Sequence, residues 1–258
     1  MKSQSNPSVF LIVVLVWTWA FSWTALTGQS KWNTPEGDTY VLLGTLGSMG
    51  FVPLAVLFAL REGGWRTVVG FLGKTFIVPL QVKPWLLALV PAALILVGMF
   101  LGANLFWRGS WNFTPALGLG LLGILLFAWL EEVVWRGYAL PRLLERYSPT
   151  GASLRLGLMW MLWHMPFFWV VGYSEWGPWG FLAWAPFYFV YTFYFTWLYQ
   201  RSRGSVLVAT VSHTAVNGVI QWFQPLSIEN AGSLFAAGVL ALFLFRKSRM
   251  DERSESVD

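Results

Sequence analysis

Apolar residues run in blocks along this chain, and short clusters of charge separate them. Eight blocks approach the roughly 20 residues that an α-helix needs to cross a bilayer core: approximately 8–27, 39–60, 84–106, 115–140, 153–172, 179–200, 204–224 and 230–246. The first exceeds the roughly 7–15-residue core of a signal peptide, and no small-x-small cleavage site follows it, so it reads as a retained helix. Pro53, Pro91, Pro166 and Pro186 lie inside blocks and predict kinks whose open carbonyls neighbouring helices must satisfy. The expected fold is an all-α polytopic membrane protein of about eight transmembrane helices. Residues 1–246 would form one integral domain, and the polar segment 247–258 reads as a disordered tail.

Loop charge orients this layout. Alternate loops hold Lys31, Glu36 and Asp38, then Arg108, Glu175 and Glu229, with few cations among them. The intervening segments carry Lys2, then Arg61, Arg66, Lys74 and Lys83, then Arg142, Arg146 and Arg155, then Arg201 and Arg203, and finally Arg246 to Arg253. The positive-inside rule then puts both termini in the cytoplasm, as an even number of spans requires. In the loop 61–83, apolar residues such as Trp65, Val69 and Phe76 alternate with basic ones. A cytoplasmic interfacial helix and an irregular loop both fit.

Composition agrees with a bilayer. The 258 residues are 56% hydrophobic and 11% charged, against roughly 25% charged in soluble domains. The net charge of +5 sits in loop clusters and forms no nucleic-acid groove. With no cysteine, disulfides, thiol catalysis and cysteine-ligated zinc are excluded. Trp17, Trp129 and Trp160 fall within spans and read as packing residues.

Against that background, Glu131, Glu132 and Arg136 stand out in the fourth block. A charge near a membrane centre costs about 2.5–3.5 kcal/mol on insertion scales, and such residues are functional by default. Glu132 and Arg136, four apart, share a helix face. Glu131 points about 100° away, so one acid can be neutralised while the other faces a cavity. A buried ion network that only orients helices would use the same residues. The fifth block carries His164, and the seventh carries His213 and Asn217 one turn apart. Singly, these read as a packing histidine and a helix–helix hydrogen-bond patch. Depth joins them: counted from the cytoplasmic ends at 1.5 Å per residue, all lie roughly 13–20 Å below the surface. Three helices thus bring both histidines of the chain to one plane.

Such a set permits acid–base hydrolysis, with a carboxylate taking a proton from water beside a histidine. The second histidine and the asparagine amide could donate to an oxyanion. Ser212 adjoins His213 but points elsewhere, and no G-x-S-x-G is present. Zinc on His164, His213 and a glutamate is chemically possible, although H-E-x-x-H is absent. The residues alone leave the glutamate and zinc readings both open.

Glu131-Glu132-x-x-x-Arg136, then Trp160-x-x-x-His164, then His213-x-x-x-Asn217, resembles the CPBP family of CAAX-protease and bacteriocin-processing intramembrane proteases, which includes Rce1-type enzymes. The resemblance covers about 115–224, and Arg136-Gly137-Tyr138 extends it. Trp160 departs from it, since phenylalanine is common there. The resemblance implies a metal-independent glutamic endopeptidase without cofactor. In it, Glu131 activates water, His164 positions that water, and His213 and Asn217 form the oxyanion hole. Glu132 shapes the site, and Arg136 holds the motif helix by charge pairing. The implied partners are the bilayer and a membrane-associated, in some relatives prenylated, peptide. Two other classes fit the bare residues: a proton-coupled transporter and a non-catalytic immunity or scaffold protein. The outer halves of the spans carry almost no ionisable groups, which favours a one-sided cavity over a transport path.

Overall fold

A computed structural model of the chain describes residues 6–31, 34, 37–106, 112–115, 117–169, 177–224 and 229–255. Lys2, Glu36, Arg108 and Glu175, used above for loop charge, lie outside them, as do residues 170–172 of the fifth block. The first block is α1 (Pro7–Thr27). The Asn6 side chain caps it by accepting from Ser8 N at 3.0 Å, and Pro7 supplies a preset first turn.

The second block is not one helix. It divides into α2 (Gly37–Met49) and α3 (Phe51–Gly63), bent by 45°. Pro53 explains part of this, because its missing N–H is tolerated only in a first turn. The last carbonyls of a helix have no partner within it. Here Leu46 O accepts from Trp17 Nε1 at 2.9 Å and Gly47 O from Thr18 Oγ1 at 3.0 Å, both on α1. The approach is close enough to demand glycine at the bend: a Cβ on Gly50 would collide with the Trp17 indole nitrogen.

The basic loop forms α4 (Trp65–Gly73), which settles it as a helix. Trp65 and Val69 are exposed on one face, while Val68 and Phe71 are buried on the other. Lys74 follows it, 3.4 Å from the Tyr199 hydroxyl. Burial, and secondarily the charge of Arg142, pull this ammonium down to about 8. Next comes α5 (Val82–Phe106), which contains Pro91.

The fourth block is α6 (Leu119–Glu132), a π-helical segment Val133–Ala139, and α7 (Leu140–Leu144). A π-helical turn inside an α-helix is uncommon and concentrates at functional sites. Every residue of this segment is buried. Gly137 lets α4 in: a Cβ there would meet Phe71 O at 3.3 Å. Glu62 at the end of α3 locks the segment from another side. It accepts from Tyr138 Oη at 3.0 Å and from Arg142 Nε and Nη2 at 2.9 and 2.6 Å.

The fifth block is shorter than expected. Ser148 caps α8 (Pro149–His164), accepting from Gly151 N at 3.2 Å, and the helix stops at His164. Pro166 disfavours continuation, and a 3₁₀ turn, Met165–Trp169, follows. His164 is therefore at a helix end and not in mid-span. The remaining helices are α9 (Pro178–Arg201), α10 (Val206–Trp222) and α11 (Glu229–Glu255). The backbone helix of α11 runs past Arg246 into the segment expected to be disordered. A two-residue antiparallel pairing, β1 (Asn112–Phe113) with β2 (Phe223–Gln224), ties the start of the fourth block to the end of α10.

On length and composition alone, α1 and α5 suffice to cross a membrane, and the bent α2–α3 pair makes a third candidate among the described residues. The fourth block is interrupted by three charges and the π segment, and α8 and α10 have 16 and 17 residues. What α6–α10 enclose is an aromatic core: Trp135, Trp160, Trp163, Tyr138, Tyr191 and Phe195 are all fully buried.

Gly50→Ala should displace Trp17 and open the Leu46 carbonyl. The expected cost is about 1–3 kcal/mol, read as a lowered thermal midpoint of the purified protein. Adding Trp17→Ala should cost less than the two single effects summed.

Candidate active site

The site is assembled from α6, the π segment, α8 and α10. Glu132, at the end of α6, is fully buried. Its Oε1 accepts from Arg136 Nη1 at 2.9 Å and lies 2.8 Å from His213 Nδ1 on α10. The expected Glu132–Arg136 pair is therefore present, and His213 joins it from another helix. The Arg136 guanidinium is also fully buried, its Cζ 3.9 Å from the Phe195 ring centroid and 5.2 Å from that of Trp160. One of its nitrogens is committed to Glu132, while Nε and Nη2 have no partner among the described residues. Cation–π contact with two rings compensates part of that burial.

Glu131 faces a different set of groups. Its Oε2 accepts from Trp160 Nε1 at 2.9 Å and from Trp135 Nε1 at 3.2 Å. Its Oε1 accepts from none of the described residues. The two neighbouring acids are thus separated as the helical angles predict: Glu132 meets the Arg136 cation and His213, Glu131 meets neutral donors. Trp160, expected only to pack, turns out to be a hydrogen-bond donor at the centre of the site. Trp17 likewise donates to α2. An indole reads as hydrophobic in a sequence, and only a buried carboxylate one helix away revealed the role of its N–H.

His164 is buried at the end of α8, with Nδ1 2.8 Å from Trp160 O. A carbonyl can only accept, so Nδ1 carries the proton and Nε2 presents a lone pair. Tyr188 stacks on the ring at 4.0 Å and 17°, a support that no spacing signal announced. Trp160 stands edge-on to both histidines, with centroids 5.2 Å from His164 and 5.6 Å from His213. The flanking Trp163 donates to Thr18 Oγ1 at 3.0 Å, so the hydroxyl that holds the α2 bend also fixes α8.

Asn217 lies one turn beyond His213 on α10 and is half-buried. It shares that helix with the site, and its side chain makes no hydrogen bond among the described residues. Ser212 Oγ pairs with Tyr191 Oη at 2.9 Å, so it is engaged away from the histidine. Among the described residues, no three histidine or acidic side chains converge as metal ligands.

Comparison with known proteins fits this geometry. The family model for type II CAAX prenyl endopeptidase Rce1-like proteins matches residues 112–219. That span contains all six predicted site residues, with α6, the π segment and α8 whole and most of α10. Residues 112–219 of the chain are thus similar to the Rce1-like family. A protein named CAAX prenyl protease 2 from Methanococcus maripaludis is 24% identical over 265 residues, covering 96% of this chain and 97% of that one. These matches support a peptidase of the CAAX prenyl protease type, in line with the resemblance read from the motifs.

Removing one partner of a buried ion pair typically costs about 3–5 kcal/mol. Arg136→Leu should therefore lower the thermal midpoint sharply, and Glu132→Leu should do likewise. The double variant should be more stable than the single effects predict, and a double-mutant cycle in thermal unfolding measures this coupling.

Proposed function

We propose that the protein is a glutamic endopeptidase that cleaves a membrane-associated peptide inside the bilayer, with Glu131 as the general base. The observation that carries this is the division of the two acids. Glu132 is neutralised by Arg136 beside His213, whereas Glu131 is held by two neutral indoles with Oε1 left open.

In the proposed reaction, Glu131 Oε1 takes a proton from water, and His164 Nε2 orients that water as an acceptor. The hydroxide adds to the scissile carbonyl. The Asn217 amide donates to the resulting oxyanion. His213 Nε2 can join it only when the ring carries a second proton, and Glu132 would then be its counter-ion. Glu131 finally returns its proton to the leaving amine, which balances the cycle. Arg136 takes no part in proton transfer and holds Glu132 in place.

No metal or cofactor enters this scheme. The chemistry needs only the carboxylate, the histidines and the amide. The substrate reading comes from the relatives: a peptide anchored in the membrane, prenylated at a CAAX-like terminus, would deliver its scissile bond to a site at this depth. The eight-span arrangement with both termini in the cytoplasm completes the proposal. It rests on loop charge, and would open the site toward the compartment where such peptides are made.

Purified protein in nanodiscs should cleave an internally quenched farnesylated CAAX peptide. Glu131→Gln should lower kcat by about 10²–10⁴-fold, the usual range for a lost general base, and His164→Ala should come close to it. Both variants should keep the wild-type thermal midpoint within a few degrees. Full activity in Glu131→Gln overturns the assignment. Treatment with EDTA should leave the rate unchanged; a loss that zinc restores would replace the glutamate mechanism with a metal-dependent one.

A further inference from the structure

We propose that Trp160 and Trp135 are positioning residues that clamp one oxygen of Glu131 and thereby define the other as the proton acceptor. This rests on the reading of Glu131 as the base. The geometry is specific. Two indole N–H groups, one from α8 and one from the π segment, converge on the same atom, Oε2, at 2.9 and 3.2 Å. A carboxylate oxygen has two lone-pair sites, so Oε2 is saturated and Oε1 alone remains to meet water. Both rings are fully buried, which leaves them little freedom to release the acid.

The choice of donor matters. An indole donates one hydrogen bond, accepts none and does not titrate near neutral pH. It fixes the carboxylate without supplying the charge neutralisation that Arg136 gives Glu132, and it cannot compete for the proton. Two donors from different elements also fix the plane of the carboxylate. Rotation about the terminal torsion of glutamate, otherwise broad, is blocked. Trp160 adds a second constraint, because its backbone carbonyl holds His164 Nδ1 at 2.8 Å. One residue therefore orients the base through its side chain and the water-positioning histidine through its main chain. A phenylalanine at this position would keep the carbonyl and most of the packing, yet donate nothing to Glu131.

The decisive test replaces Trp160 with 3-benzothienylalanine by nonsense suppression in the full-length enzyme. That side chain keeps the bicyclic shape and puts sulfur where the N–H was. With the internally quenched farnesylated CAAX peptide, kcat should fall roughly tenfold, the size of one hydrogen bond to a charged group. KM and the thermal midpoint should not change. Trp135 replaced in the same way should show a smaller fall, in line with its longer bond. Replacing both should cost more than the product of the two, because the last donor is then gone. Trp160→Phe should reproduce the kcat loss. If it unfolds the protein instead, the isosteric analogue still decides. Wild-type kcat in the doubly substituted enzyme, with Glu131→Gln inactive, overturns the clamp and leaves the general base standing. A rise in KM at unchanged kcat also overturns it, by assigning the indoles to substrate binding. If Glu131→Gln is itself fully active, the base assignment fails first and the clamp loses its purpose.

Discussion

A carboxylate buried in a low-dielectric interior must be paired, and the pairing of Glu132 organises this protein. Its single oxygen Oε1 takes Arg136 from the π segment and His213 from α10. The tie joins the end of α6, the turn that follows it and a helix about 80 residues further along the chain. An unpaired ion there would cost several kcal/mol, so each member constrains the others. The guanidinium in turn needs the Phe195 ring of α9, which extends the constraint to a fourth element. The aromatic core closes around this cluster and excludes the solvent that would otherwise screen it.

With Glu132 so engaged, its neighbour is free to behave differently. Adjacent acids on one helix would ordinarily repel each other in a dry environment. Here the turn geometry sends them to separate surroundings, one holding the Arg136 cation and His213 and one apolar with two N–H donors. Trp160 sits where these surroundings meet. Its ring touches both histidines, its nitrogen binds Glu131, and its carbonyl binds His164. The chemistry and the packing are therefore carried by the same side chain.

Much of this was legible in the sequence, and particular residues show why the rest was not. The Glu132–Arg136 pair follows from spacing, since four residues still return to about the same face although the helix widens from Val133 onward. The meeting of Glu132 with His213 follows from depth, although depth alone could not say which acid His213 would choose. The π segment left no signature, because Val133 to Ala139, Arg136 aside, reads as a continuation of an apolar helix. The end of α8 at His164 was signalled by Pro166, yet a proline within an apolar block reads equally well as a kink. Trp160 packs as expected, but its donor role was missed because hydropathy counts an indole by its rings. Charge alternation described the loops, but three charges, short helices and many tyrosines leave few segments that would be recognised as spans by composition alone.

The bend at Gly50 bears on how the chain enters the membrane. Two carbonyls of α2, those of Leu46 and Gly47, obtain their donors from α1. In hydrocarbon such carbonyls cost several kcal/mol each while they are open. A second helix arriving by itself would carry that penalty; one arriving as a hairpin with the first would not. An α1–α2 hairpin therefore satisfies these carbonyls from within itself. The Thr18 hydroxyl that serves α2 also receives Trp163, so the same atom ties the α1–α2 hairpin to α8.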